Sequence, residues 1–246
     1  MAGLYIHIPF CAKRCLYCDF FSNTEMKKYK EPYVDALIRE LEMRKDYIDG
    51  EPLETIYFGG GTPSQLQSKD FERIFNAIHR LFDVSHCSEI TLEANPDDMT
   101  PEYVTSLCSF PFNRISMGVQ SFKEEDLRFL NRRHNREQAL RAVELCKENG
   151  LSNISIDLIY GLPGQTLEEW ESNLDRTIRL DIPHISAYHL IYEEGTALYK
   201  LKEAGKISPV EEEVSVTLFT SLIDRLTANG YLHYEISNFA RPGMIS

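Results

Sequence analysis

The sequence predicts an α/β fold, a partial (β/α)6 barrel with parallel strands on the inside and helices on the outside. Six short apolar runs alternate with six longer segments in which apolar residues recur at helical spacing. The connections between them are short, which favours a parallel sheet with right-handed crossovers. The length of 246 residues lies within the range of about 200–250 that such barrels commonly take. Six units are fewer than the eight of a closed barrel, and a doubly wound open sheet is the competing architecture.

The strands are predicted from short apolar runs that end in proline or glycine. The run from Leu4 to Ile8 alternates bulky apolar side chains and is closed by Pro9, and the second run is broken by glycines from Gly59 onward. The last residues, 239–246, show no packing pattern. The predicted strands are residues 4–8, 54–58, 89–93, 114–118, 154–159 and 184–190, followed by a short strand-like segment at 231–236.

Helices are predicted where apolar residues recur every three or four positions. The second helix places a row of apolar side chains on one face, namely Phe71, Ile74, Phe75, Ile78 and Phe82. Proline is favoured in the first turn of a helix, so Pro101 marks the start of the third. The predicted helices are residues 30–46, 68–82, 101–109, 137–148, 167–180 and 210–229.

Composition and charge exclude several classes of protein. The net charge of −12 argues against a nucleic-acid partner, because phosphates are usually met by a basic face. The local basic cluster from Arg132 to Arg136 is too short to change this, and it is either a solvated turn or an anion contact. No apolar run approaches the roughly 18 residues of a membrane span, and nothing resembles an export signal. We therefore expect a cytoplasmic protein.

The cysteines carry the strongest chemical signal. Cys11, Cys15 and Cys18 follow the first strand at C-x₃-C-x₂-C spacing, with no fourth cysteine nearby. Three thiolates can hold three irons of a [4Fe–4S] cluster and leave the fourth iron open, whereas structural zinc usually takes four protein ligands. This spacing is the signature of radical S-adenosylmethionine (SAM) enzymes, and zinc or plain buried cysteines are the alternatives. Cys108 and Cys146 are expected to be buried on apolar helix faces, and neither they nor Cys87 is expected to bind iron.

Polar or glycine-rich markers recur where the predicted strands end. Because ligands in such folds bind at the carboxyl ends of parallel strands, the common edge predicts one shared pocket. Glycines let the backbone approach a ligand, carboxylates suit hydroxyl or ammonium groups, and Arg132 suits a ligand carboxylate. The histidines in strands, His7 and His189, could face the pocket but are interpreted as core residues. The markers at strand ends are the cysteine loop, Gly59 to Thr62, Glu93, Gly118 to Ser121, and Asp157 with Gly161.

These residues belong to segments that resemble the oxygen-independent coproporphyrinogen III oxidase group of the radical SAM superfamily. The segments 18–20 (CDF) and 234–243 (YEISNFARPG) are most similar to its HemW branch, which is regarded as a branch of haem chaperones. True oxidases carry a further cysteine two residues past the third ligand, where this chain has Phe20. The group's segments are 5–11 (YIHIPFC), 59–63 (GGGTP), 93–96 (EANP), 116–121 (SMGVQS) and 157–163 (DLIYGLP).

The resemblance implies cofactors and site residues. Cys11, Cys15 and Cys18 would ligate a [4Fe–4S] cluster, whose remaining iron is chelated by SAM, and the reduced cluster would cleave SAM. The positions that match SAM contacts are Tyr5, Tyr17 (through its backbone), Gly60, Gly61, Thr62, Glu93, Gln120, Arg132 and Asp157.

The resemblance also implies a function and a domain organisation. We expect a protein that binds haem and passes it to an acceptor protein, with an electron donor as a further partner. The alternative is an oxidase that decarboxylates a porphyrinogen, and a third hypothesis, a radical SAM enzyme acting on RNA, is disfavoured by the acidic balance. Residues 1–238 are expected to form the radical SAM core, and 239–246 to begin a C-terminal region that is either truncated or naturally lacking.

Overall fold

One sheet of eight strands organises residues 2–246, which a computed structural model describes apart from the side chains of residues 26 and 27. Its strand order is β1-β2-β3-β4-β5-β6-β8-β7. The first six strands are parallel, and β8 pairs antiparallel with both β6 and β7. The strands are β1 (Ala2–Ile8), β2 (Leu53–Gly60), β3 (Glu89–Ala94), β4 (Arg114–Gln120), β5 (Ile154–Tyr160), β6 (His184–His189), β7 (Leu232–His233) and β8 (Asn238–Ala240).

Helices follow the strands and cover the outer face of the sheet. Two short 3₁₀ helices, Pro63–Gln65 and Pro96–Asp98, lie directly after β2 and β3. The α-helices are α1 (Met26–Met43), α2 (Ser68–Leu81), α3 (Pro101–Leu107), α4 (Glu124–Phe129), α5 (Arg136–Glu148), α6 (Leu167–Arg179), α7 (Ala197–Glu203) and α8 (Glu212–Ala228).

The predicted α/β partial barrel is confirmed. Its first six strands stand side by side in chain order, whereas a doubly wound sheet reverses its strand order at a switch point. The sheet is not closed, because β1 and β7 do not pair with each other. The carboxyl ends of the six parallel strands therefore meet at one edge of a curved, open sheet.

Side-chain alternation along β4 separates the core from the inside of the barrel. Ile115, Met117 and Val119 are buried in the hydrophobic core against the helices. Arg114 and Ser116, between them, line an internal cavity instead. Successive residues of a strand point to opposite faces, so this strand buries apolar groups outward and presents polar groups inward.

The chain's single tryptophan packs between the barrel and the helices α6 and α8. Trp170 of α6 is fully buried, packs against Tyr160, and donates its Nε1–H to the carbonyl of Leu218 in α8 at 3.1 Å. Arg225 of α8 forms an ion pair with Asp175 of α6. The two helices are therefore held together by a buried hydrogen bond and a surface charge pair.

Four expectations about individual elements need correction. Helix α1 begins at Met26 rather than at residue 30. Helices α4 and α7 were not predicted, because six or seven residues give too few turns for a periodic pattern. The segment 239–246 does carry a packing pattern: Phe239 is fully buried in β8 and stacks on His233 with ring centroids 4.4 Å apart. Within 231–236, only Leu232–His233 is a strand.

Two further predictions concern the domain boundary and membrane spans. The boundary between residues 238 and 239 stays a prediction, although β8 continues across it within the same sheet. Among the described residues, no helix is both long and apolar enough to cross a membrane.

Candidate functional site

A cavity of about 550 Å³ opens at the carboxyl edge of the parallel strands and extends into the barrel. The three cysteines of the loop after β1 lie along it. Cys11 is buried, and Cys15 and Cys18 are partly exposed. The predicted shared pocket is thus present, with the cysteine loop at its mouth.

The cysteine loop is anchored by backbone hydrogen bonds to distant parts of the chain. Asn23 bonds back to the start of the loop, accepting from the Cys11 N–H at 3.0 Å. Leu16 donates to the carbonyl of Leu130, at the end of α4, and accepts from Leu198 of α7 at 2.9 Å. The two unpredicted short helices therefore serve to hold this loop.

Two of the thiols accept hydrogen bonds from residues that belong to other loops. The Thr62 hydroxyl donates to Cys11 Sγ at 3.4 Å, and Arg132 Nη1 donates to Cys15 Sγ at 3.3 Å. The amide of Asn95 joins these two donors, since its Nδ2 donates to Thr62 Oγ1 at 3.4 Å and its Oδ1 accepts from Arg132 Nη2 at 2.6 Å. A continuous chain of side chains therefore links two cysteines across the site.

Arg132 is positioned by the turn after α4. Its Nη2 also donates to the carbonyl of Gly118 at 2.5 Å, while its buried Nε finds no partner in the described part of the chain. The neighbouring Arg133 forms ion pairs with Asp97 and Asp98. Arg132 is therefore part of the site and not of a solvated turn, whereas Arg133 is exposed and pairs with two carboxylates at the surface.

The glycine run after β2 is required by close backbone contacts. A Cβ on Gly61 would lie 3.0 Å from the carbonyl of Ile8 and from two backbone atoms of Phe10. Gly60 has a φ of +115°, and a Cβ there would lie 2.6 Å from the ring of His7. The end of β2 can therefore lie against the start of the cysteine loop only without side chains at these positions.

Glu93, at the end of β3, faces this glycine turn. It accepts a hydrogen bond from the Tyr57 hydroxyl at 2.8 Å and one from the Gly60 N–H at 3.1 Å. Burial raises the pKa of Glu93, although both hydrogen bonds favour its charged form. The carboxylate is thus held in a fixed place while one side remains open to the cavity.

Asp157 of β5 is the second carboxylate on the cavity. Burial, and then the charge of Glu93, raise its pKa to about 7, with Arg114 and Arg132 opposing the shift. Two carboxyl groups in one desolvated space disfavour each other's charge. A cationic or hydroxyl-bearing ligand between them would relieve this repulsion.

Gln120 ends β4 in an unusual backbone conformation. Its φ is +69°, in the left-handed region that residues other than glycine rarely adopt, and the strand register shifts beside it. The side chain is buried and lines the cavity. Nearby His134 is also buried, with its ring Nε2 3.0 Å from the Val119 carbonyl, and this contact supports the same turn.

The structure brings together all three predicted cysteines and eight of the nine predicted SAM-contacting residues on one cavity. Tyr5 is the exception, because this residue is 58% exposed and its ring stacks on Tyr57 outside the cavity lining. Tyr17 lines the cavity, with its hydroxyl 3.5 Å from Arg132 Nη1. The residues that line it are Cys11, Cys15, Cys18, Tyr17, Gly60, Gly61, Thr62, Glu93, Gln120, Arg132 and Asp157.

The remaining cysteines and histidines only partly match expectation. Cys146 is buried as predicted, and burial raises the pKa of its thiol to about 12. Cys108 is exposed at the end of α3, so its predicted burial is wrong. His189 lines the cavity, but both ring nitrogens lie within hydrogen-bond distance of Leu190 O and Ser215 Oγ.

Sequence reasoning missed the floor of the cavity. Arg114, His184 and Tyr234 line it below the carboxylates, and Ser186 lines it level with Asp157. The signal was present as polar residues at every second position of otherwise buried strands, as in His-Ile-Ser at the start of β6. This pattern indicates a strand with one apolar face and one face toward a polar interior.

Comparison with known proteins decides the family. The model of the radical SAM superfamily matches residues 5–177. The chain belongs to the radical SAM superfamily. Among curated relatives, heme chaperone HemW of Lactococcus lactis subsp. lactis (strain IL1403) is 39% identical over 98% of this chain and 63% of its own length. Heme chaperone HemW of Escherichia coli (strain K12) is 38% identical, with the same two coverages.

Among solved structures, coproporphyrinogen III oxidase (HemN) from Escherichia coli superposes with a TM-score of 0.87. It is 30% identical, and the match covers 98% of this chain and 56% of that one. The resemblance to HemW and to this oxidase is therefore confirmed. The chain spans about three fifths of the length of these relatives.

A radical SAM domain implies a [4Fe–4S] cluster and SAM, and the residues present fit both. In residues 2–246 no three cysteine, histidine, aspartate or glutamate side chains converge on a point where a single metal ion could bind. Three thiols spread along one cavity suit a cluster, whose ligands attach to different irons. The buried Arg132 Nε has no partner among the described residues, and the glycine turn brings backbone without side chains to the cavity, so both fit a second ligand beside the cluster.

Proposed function

We propose that this chain is the radical SAM part of a HemW-like haem chaperone, which binds a [4Fe–4S] cluster, SAM and haem and passes haem to an acceptor protein. The observation that carries the proposal is the alignment of proteins named heme chaperone HemW, at 37–39% identity, over 97–100% of this chain. Because the chain spans 59–65% of those proteins, the activity of a whole chaperone is part of the proposal.

Cys11, Cys15 and Cys18 would hold the cluster. Thr62 and Arg132 already donate to two of these sulfurs, and such hydrogen bonds would tune the reduction potential of a bound cluster. When bound, the cluster and SAM together supply one-electron chemistry. The protein's part is to orient both groups and to exclude water from the cavity.

The SAM site would lie beside the thiols, at the carboxyl ends of β2 to β5. Glu93 and Asp157 suit the ribose hydroxyls and ammonium group, and Arg132 suits the carboxylate. The proposed contacts are Tyr5, Tyr17 (through its backbone), Gly60, Gly61, Thr62, Glu93, Gln120, Arg132 and Asp157.

Coproporphyrinogen III oxidation is the second candidate function. The superposition on HemN favours it, since the barrel matches at a TM-score of 0.87. Phe20 speaks against it, because this exposed side chain on the cavity replaces the further cysteine of oxidases. An electron donor and a cytoplasmic location remain predictions under either function, and a haem acceptor remains a prediction under the first.

Anaerobic haem titration of the cluster-reconstituted chain, followed in the Soret region, tests the proposal. We expect a saturable shift near one haem per chain and no turnover of coproporphyrinogen III with SAM and dithionite. Porphyrinogen turnover would favour the oxidase. The absence of any saturable haem shift would contradict a haem site within these 246 residues.

A further inference from the structure

Arg114 occupies the floor of the cavity, far from the thiols. It is the first residue of β4 and alternates with outward-facing core residues, so its side chain points into the barrel. Gly118, whose carbonyl contacts Arg132 near the cysteines, lies four residues further along the strand, or about 13 Å at the usual rise. The side chain is 5% exposed. Arg114 is therefore a buried cation at the opposite end of the cavity from the cysteine loop.

This guanidinium has very few partners for a buried charge. Its one hydrogen bond in the described part of the chain runs from Nη1 to Thr91 Oγ1, at 3.5 Å. Glu93 and Asp157 interact with it through space, without an ion pair. A guanidinium carries five N–H donors, and burying them unpaired is costly. The donors of Arg114 that have no partner are not fully buried, and Arg114 lines the cavity. These donors therefore face the cavity.

The groups around Arg114 on the floor are hydrogen-bonding but do not bring a second cation. The Nδ1 of His184 lies 2.7 Å from Ser155 Oγ, and its Nε2 lies 2.7 Å from the Tyr234 hydroxyl. Ser186 and its strand partner Asn238 line the cavity one step higher, level with Asp157. The carboxylate of Glu89 accepts a hydrogen bond from the Thr91 hydroxyl at 2.9 Å, but no carboxylate forms an ion pair with Arg114 in the described part of the chain. The unused donors of Arg114 therefore suit a ligand with one negative charge. A phosphate dianion would suit it less, because Glu93 lines the same space.

We propose that Arg114 binds a carboxylate of the substrate at the floor of the cavity. Under the function proposed above, on which this assignment rests, the carboxylate is a propionate of the porphyrin. A planar carboxylate can accept two parallel hydrogen bonds from the fork of a guanidinium, which gives orientation as well as affinity. The porphyrin would thereby be anchored at the end opposite the cysteine loop.

Haem and its dimethyl ester, delivered from the same solvent stock to the cluster-reconstituted chain, test this assignment. The ester keeps the ring and loses both charges. We expect the parent chain to bind haem roughly 10- to 100-fold more tightly than the ester, the range for a hydrogen bond to a charged group. Arg114→Gln should remove this preference by weakening the binding of haem and not of the ester, and Arg114→Lys should keep part of the preference. Arg39→Gln, the same change at an exposed position on α1, should preserve it.

The possible failures can be told apart. No haem binding by the parent chain would contradict the proposed function and the assignment together. Equal affinities of the parent chain for haem and ester would contradict the assignment alone, without depending on any variant. If Arg114→Gln weakened the binding of both ligands equally, the arginine would act through packing and the assignment would be wrong. If Arg14→Gln, at the cavity mouth, abolished the preference instead, the propionates would bind there.

Discussion

Thr62 donates its hydroxyl proton to Cys11 Sγ at 3.4 Å, and so joins the loop after β2 to the loop after β1. Thr62 is itself held by the amide of Asn95, from the loop after β3. A hydrogen bond to a cluster sulfur stabilises the reduced, more negative state, so it raises the reduction potential. If Cys11 ligates a cluster as proposed, the threonine would tune the electron affinity of that cluster.

Thr62→Val should lower the midpoint potential of the reconstituted cluster. One lost hydrogen bond of about 1 kcal/mol corresponds to roughly 40 mV for a one-electron couple. The measurement is a redox titration followed by electron paramagnetic resonance. Thr62→Ser keeps the hydroxyl and is the matched control. A potential that is unchanged in Thr62→Val would show that the hydroxyl does not act on the cluster.

Replacing any one of Cys11, Cys15 and Cys18 by alanine should prevent stable cluster assembly. After anaerobic reconstitution we expect the parent chain to hold about four irons and each variant to hold clearly fewer. Iron and sulfide analysis, with the visible absorption band, measures this. Cys108→Ala, at the exposed end of α3, is the control and should retain the parent's iron. Loss of iron in that control would contradict the assignment of ligands.

Asp157 should make the ligand-free protein less stable as the pH rises. Because its pKa is raised from 3.8 to about 7, the folded protein retains a proton that the unfolded chain has lost. Stability from this group therefore falls between these two values and is constant above them. Asp157→Asn has no such proton to lose, and should be more stable than the parent at pH 8 by on the order of 1 kcal/mol.

Urea unfolding at pH 5 and pH 8 measures the effect of Asp157. The advantage of Asp157→Asn should be smaller at pH 5. Asp224→Asn, on the exposed face of α8, serves as the control and should show no such pH dependence. An advantage that is equal at both pH values would argue for a packing effect.

His184 should make the protein less stable as the pH falls, which is the opposite direction to the effect of Asp157. Burial, and then the charge of Arg114, lower its pKa from 6.5 to about 4, so the fold favours the neutral ring. Its contribution is complete above pH 6.5 and is lost as the pH falls through 4. His184→Gln should cost about 1–2 kcal/mol at pH 7.5, since it disrupts buried hydrogen bonds to Ser155 and Tyr234.

Between pH 6.5 and 4.5, the unfolding free energy of the parent should therefore fall more than that of His184→Gln. Denaturant titrations at the two pH values give both numbers. The exposed His86, replaced by glutamine, is the matched control. A parallel fall in parent and variant would mean that other groups dominate the acid sensitivity.

The upper part of the site could be predicted because its residues follow strand ends. Gly60, Glu93 and Asp157 stand at or near the carboxyl ends of predicted strands, and parallel strands bring those ends together. Arg114 and His184 begin their strands, so the strand-end rule does not find them. Finding them requires knowing which face of each strand is interior, and this depends on the helices that cover the other face.

The order of the six parallel strands could be predicted from periodicity, and the short elements could not. Helix α4, with six residues, is defined by its contacts to the cysteine loop more than by its own pattern. The β8 strand is three residues long, and its burial depends on pairing with β6. Such elements gain their stability from tertiary contacts, which a local pattern does not record.

The burial of Trp170 gives the protein a built-in optical reporter. Since the chain has one tryptophan, its tryptophan fluorescence comes from a single site between α6 and α8. Emission from such a dry site is blue and moves to the red when water reaches the indole, so the spectrum reports the separation of these helices. Haem absorbs at the wavelengths that tryptophan emits, and a haem inside the barrel would quench this light by energy transfer. Unfolding and haem loading can therefore be followed in the same cuvette without a label.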